Sequence, residues 1–281
     1  MTPECLENVG KVSGENLNSF EEFLEEAKEL QQTFKEQQSE VSTLLFRGQA
    51  NAEWPLQTTL ERATTGAISI LQYYEKINWI RPEIETFTER RWNIPSTEDL
   101  ANMLQDKKIF SPADVFRQHE IYSYMGYLRH HGFPSPFLDW SHSLYVAAYF
   151  AFSNIPKDAQ KVSICVFQEK PARFKSWTSS EPFIEHFGPV VPGNKRHFLQ
   201  QSEYTWCVSK KVTEWWFDPN PAVLMHDPEA DQDRLLKYNI PVGEKRKALA
   251  LLQQMNINAY SLFGNQEGLM QTLAFKCFDE N

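Results

Sequence analysis

The sequence predicts an α+β protein: a single domain with a small mixed or antiparallel sheet core flanked by helices. Three observations carry the prediction. An N-terminal amphipathic helix over 15–40 runs into a short apolar stretch that ends at Arg47-Gly48. A helical insertion over 68–125 combines helix-start signals with charge and aromatics. Further on, apolar runs of strand length at 161–167 and 204–209 are set apart by irregular sequence. With neither an internal repeat nor a low-complexity linker, residues 1–281 read as one domain.

The elements follow in order. Ser19 precedes Phe20 with Glu22 three residues on, a capping-box signature. Phe20, Phe23, Leu24, Ala27, Leu30 and Phe34 then recur at helical spacing, and Glu21, Glu22, Glu25, Glu26 and Glu29 make a solvated outer face. The run 42–46 reads as a strand that delivers Arg47-Gly48, followed by irregular chain around Trp54-Pro55. In the insertion, Pro82, Pro95 and Pro112 act as breaks, while Ser96 and Ser111-Pro112 open helices. After Asp139-Trp140-Ser141, the spacing of Leu144, Ala147, Ala148, Phe150 and Ala151 predicts a helix whose small residues permit close packing. A late pair of helices is expected over 231–237 and 244–254, followed by 257–263 and a final apolar segment over 268–278.

Composition limits the function classes. Hydrophobic residues at 41% and aromatics at 14% suit a packed interior. A net charge of −9 argues against broad nucleic-acid or anionic-membrane binding, yet leaves room for a small basic pocket that takes a phosphorylated ligand. No apolar run approaches the ~20 residues of a membrane helix, and 1–14 lacks a signal pattern. The expectation is a cytoplasmic protein with no membrane partner. Cys5, Cys165, Cys207 and Cys277 are far apart and without zinc-site spacing; they read as buried thiols, and no metal is expected.

Two segments concentrate functional groups: Leu44 to Gln49, and His130-His131-Gly132 through Leu138-Asp139-Trp140-Ser141. The planar fork of Arg47 suits phosphate or carboxylate, with a structural ion pair as the competing role. Gly48 leaves the backbone open to a ligand. His130 and His131 are adjacent, so one of them faces a site if the segment is extended. Asp139 either caps the next helix or polarises a histidine or a ligand hydroxyl. Ser141, His142 and Ser143 stand at a helix entrance, where free N–H groups favour an anion. Near 194–204, Gln201 and Glu203 share a face if the chain is extended, and a carboxylate there can stabilise a developing cation. Glu267 is the other candidate acid.

These segments resemble a known family. Leu45-Phe46-Arg47-Gly48-Gln49 with Trp54 and Leu60-Glu61-Arg62 resembles the opening signature of FRG-domain proteins, which are named for Phe-Arg-Gly. The segment from His130 to Ser141 continuing to Ala151, then Arg196 with Gln200-Gln201, and finally Ile257 with Ser261-Leu262-Phe263 and Gly268-Leu269, resemble its later motifs in order. Ser135-Pro136 stands where the family generally has Thr-Arg, and Ser202 where glycine usually follows the glutamines. An Arg-Gly strand end, a serine segment feeding a helix and a glutamate by a strand are also similar in layout to ADP-ribosyltransferases.

That second similarity implies NAD, or a related nucleotide, as the small-molecule partner. Arg47 would grip the diphosphate, Ser141 or Ser143 the nicotinamide side, and Glu203 with Gln201 the ribose. The catalytic set expected is Glu203, His131 and Ser141; the nucleotide-binding set is Arg47, Gly48, Asp139, Ser143 and Gln201. Two alternatives stay open. One is a non-catalytic nucleotide or anion sensor, and the other is a hydrolase or nuclease on His130, His131 and Asp139. The family's use in bacterial effector and defence-like proteins is compatible with any of these.

Overall fold

The computed structural model describes residues 15–36, 44–106, 109, 111–168, 182–188, 195–219 and 233–278. After a two-residue strand, β1 (Glu15–Asn16), Ser19 starts helix α1 (Phe20–Glu36) by accepting from Glu22 N at 3.1 Å. The Glu22 carboxylate reaches back to Asn18 N instead of Ser19 N, so the reciprocal half of the box is displaced by one residue. Phe20, Phe23 and Ala27 are fully buried, as their spacing requires, and Phe20 meets Phe152 edge-on.

Strand β2 (Leu44–Gln49) leads to the insertion: α2 (Thr59–Ala63), α3 (Ile70–Thr88), α4 (Thr97–Gln105), α5 (Pro112–Gln118) and α6 (Ile121–His130). Ser96 and Ser111 cap α4 and α5 as expected, with Pro112 in the first turn of α5. Pro82 does not break its helix but lies inside α3, which ends at Glu89 in the left-handed region with φ 56°. A proline forfeits one ladder bond, and the buried Ile70, Tyr73, Tyr74 and Ile77 hold the helix in place despite it.

The chain continues through β3 (Leu138–Ser141), α7 (Leu144–Ser153), β4 (Lys161–Gln168), β5 (Phe183–Phe187), α8 (Lys195–Gln200), β6 (Ser202–Lys211), β7 (Glu214–Phe217) and β8 (Arg234–Pro241). Helices α9 (Lys245–Gln254), α10 (Ala259–Phe263) and α11 (Gln266–Phe278) close it. The strands form one eight-stranded sheet in the order β1-β8-β4-β2-β3-β6-β5, with β7 paired to β6. Only β1 and β8 run parallel among these pairs; the rest are antiparallel. The helix expected over 231–237 is overturned: from Arg234 on the chain is strand β8, and 231–232 lie outside the described residues. Pairing along the whole of β4 overrides a weak helical pattern, and Lys237 donates to the Ala52 carbonyl at 2.6 Å.

Strand alternation sorts the cores. Leu44, Phe46, Ile164 and Tyr238 pack against α1, α7 and α9. Tyr204, Trp206 and Phe187 pack against the helical insertion. Phe46 pairs with Ser141, and Asp139 with Tyr204, so both clusters lie on one face of the sheet. Leu45, Leu138, Trp140, Cys165 and Cys207 form the opposite face. Cys165 and Cys207 are buried thiols as expected, and burial pushes Cys165 up to about 11. Cys277 is exposed on α11, contrary to expectation, and Cys5 lies outside the described residues.

Helix α7 lies directly on β2. A Cβ at Gly48 would stand 1.9 Å from the Ala147 carbonyl oxygen and 2.6 Å from Ala151 N. The glycine and the facing alanines therefore fix how close helix and strand can come. Strands β2 and β3 share a single registered pair, Phe46↔Ser141, and part beyond it.

Candidate functional site

The parting of β2 and β3 opens onto a cavity of about 720 Å³, whose wall includes Arg47, Asp139, His130 and Trp140. Strands that separate leave backbone groups without ladder partners. Arg47 meets that need: Nη1 donates to the main-chain oxygen of Asp139 at 2.7 Å and stands 3.7 Å from its Oδ2. Its Nε is buried and makes no hydrogen bond. Burial lowers the Arg47 pKa, with Asp139 pushing back.

Asp139 is held more firmly from the other side. Arg129 Nε donates to Oδ1 at 2.6 Å, Arg129 Nη2 pairs with Oδ2, and Nη1 reaches Thr59 Oγ1 at 3.0 Å. Burial alone would raise the carboxyl, but the charges and hydrogen bonds of Arg129, with Arg47, hold it down at about 2. Its side chain keeps 43% exposure because the carboxylate, though deep among protein atoms, opens onto the cavity.

His130, at the end of α6, lines the cavity and places Nε2 3.1 Å from Tyr204 Oη. The same hydroxyl lies 2.7 Å from Nε2 of buried His197 on α8, and the two imidazole centroids are 4.4 Å apart. Burial, then His197, push His130 down to about 4; burial also lowers His197. Arg62 and Arg196 add cationic groups to the wall, while Trp54 (46% exposed), Phe150 and Phe263 add aromatic surface.

The other expected site residues divide clearly. Ser141 lines the cavity, but its hydroxyl donates to the Gln200 carbonyl at 2.7 Å and accepts from Ser143 N at 3.0 Å. Ser143 is the N-cap of α7, accepting from Val146 N at 3.3 Å, and is not on the cavity wall. His131 is the exposed C-cap of α6, tilted over Tyr127 at 4.4 Å; its neighbour His130 is the one that faces the cavity. The helix, not an extended segment, decides this. Gly48 does line the cavity, but the space its missing side chain leaves is filled by α7.

Gln201 and Glu203 do not act as a pair. Gln201 takes a left-handed conformation, φ 48°, at the end of α8, so the extended segment assumed for it starts only at Ser202. Glu203 is buried, off the wall of this cavity, with Oε1 2.6 Å from His142 Nε2 and Oε2 3.4 Å from His186 Nε2. Glu267 is exposed in the first turn of α11. Arg47, Ser141 and Glu203 do fall on three successive neighbours in the sheet, β2, β3 and β6, with Trp140 registered against Glu203. Among the described residues, no three His, Cys, Asp or Glu side chains group as metal ligands would.

Arg129, Tyr204 and His197 complete the network around the cavity and were not singled out from the sequence. Arg129 immediately precedes the histidine pair on a helix end, and an arginine ten residues before a strand carboxylate was the available signal. Tyr204 and His197 become visible only once α8 and β6 are folded together.

No curated protein and no solved structure matches this chain. The segment that matches a family model carries Arg47, Arg129, His130, Asp139 and Ser141, whereas His197 on α8 and Tyr204 on β6, the strand paired to β3, lie beyond it. The sequence model of the FRG domain matches residues 42–160, so the two motifs that wall the cavity lie within a segment similar to an FRG domain.

Proposed function

We propose that the cavity binds a nucleotide-like ligand: an aromatic base carrying phosphate, with NAD or ADP-ribose as suitable candidates. The observation that carries this reading is Arg47, fixed by the Asp139 carbonyl on the wall of a cavity of about 720 Å³ with a donor left unbonded. That volume falls within the range of small-ligand pockets. Arg62 and Arg196 supply further charge for an anion, and Trp54, Phe150 and Phe263 supply surface for a base. The only acid on this wall among the described residues, Asp139, is occupied by Arg129 and Arg47, which favours binding over acid-assisted chemistry. Calorimetric titration with NAD and ADP-ribose tests the reading; saturable binding is expected, and no heat with either ligand removes its basis.

A second reading, NAD-dependent ribosyl transfer, is favoured by the order Arg47, Ser141, Glu203 across β2, β3 and β6. It requires Glu203 to exchange His142 for a ligand ribose. Release of nicotinamide by the wild type, abolished in Glu203→Gln, would establish it. The hydrolase alternative gains no support, because His131 is exposed at a helix end and Asp139 is held by arginines.

A further inference from the structure

Behind the cavity wall, two imidazoles meet one phenol, an arrangement that the nucleotide reading does not itself require. Tyr204 Oη lies between His130 Nε2 and His197 Nε2 at 3.1 and 2.7 Å. A phenol has one proton, so between two neutral imidazoles it donates to one and accepts from the N–H of the other. His130 spends Nε2 on this contact, and a ligand in the cavity would meet the rest of its ring.

The charges around His130 come from several elements. Arg129 precedes it on α6, Arg47 lies on β2, Asp139 on β3, and Arg196 with His197 on α8. Three arginines thus stand against one carboxylate that is already paired. A further positive charge on His130 is unfavourable until an anion offsets it. The low value of about 4 for His130, set first by burial and then by His197, agrees with this balance.

We propose that His130 is a ligand-linked proton site: a diphosphate-bearing ligand entering the cavity draws a proton from solvent onto His130. Tyr204 then accepts from the charged ring's Nε2–H and donates to His197 Nε2, so the imidazolium is held from behind without rearranging the fold. The inference rests on the nucleotide reading of the cavity and adds selection for charged ligands over neutral nucleosides.

The test is calorimetry of the full chain with ADP-ribose, whose diphosphate diester does not titrate between about pH 5 and 8, in buffers of different ionisation enthalpy. Uptake approaching one proton per ligand is expected, with affinity tightening about tenfold for each unit by which the ligand raises the His130 pKa. His130→Gln should bind more weakly, with affinity flat across that range and no uptake; Tyr204→Phe should reduce the uptake while keeping the core filled. Binding with heat independent of the buffer overturns this inference alone, as does uptake unchanged in His130→Gln. Binding of neither ADP-ribose nor NAD at any pH overturns it together with the nucleotide reading.

Discussion

Arg47 and Asp139 are tied by a main-chain hydrogen bond as well as by charge, both from Nη1, so the reach of the guanidinium matters as well as its charge. Arg47→Lys should therefore keep the fold but weaken ADP-ribose binding by about ten- to a hundredfold, the loss typical of a charge-assisted hydrogen bond; calorimetry measures it, and unchanged affinity would refute the role. The histidines have a pH signature of their own. His130 and His197 are held neutral in the fold, so below about pH 6.5 the unfolded chain binds protons that the native one does not. Stability should fall as pH drops from about 7 to 5, and His130→Gln should make that slope shallower in urea unfolding series. A slope indifferent to the substitution would contradict the buried neutral state. Asp139 acts at lower pH: its carboxyl is depressed, so its contribution is present above its ordinary range and is lost only as pH falls through about 2. At this scale the sequence made Arg47, Asp139 and Ser141 legible by residue type. It could not choose between His130 and His131, because that choice depends on where α6 ends.

Elements explain what two of the expected site residues do in the fold. Gly48→Ala would drive a methyl into the α7 backbone, and overpacking of this kind costs about 1–3 kcal/mol or more. A lowered urea midpoint is expected, and wild-type stability would show that α7 can move away. Ser143 caps α7, so Ser143→Ala should cost about 1 kcal/mol in unfolding while leaving ADP-ribose affinity unchanged. Loss of affinity there would return Ser143 to the site. Helices with polar caps and clean periodicity, such as α1 and α4, were readable because local chemistry sets where they start. Strand β8 and the unbroken α3 were not, since pairing with β4 and burial of Tyr73 and Tyr74 outweigh local signals.

Across the whole molecule, the sheet joins segments distant in sequence: β2 and β3 from the FRG match, β6 and β8 from beyond it. Their single shared pair lets β2 and β3 part, and that parting creates the cavity. The α+β class and its helical insertion were legible from patterning. The extent of the sheet and the position of Glu203 were not, because long-range register decides which side of a strand faces the cavity. The most direct test of the account is a calorimetric titration of ADP-ribose into the wild type, Arg62→Ala and Arg47→Ala, each confirmed folded by its unfolding curve. The account predicts saturable binding that weakens in Arg62→Ala and is lost in Arg47→Ala. Equal affinity in all three, or no binding by the wild type, would contradict it.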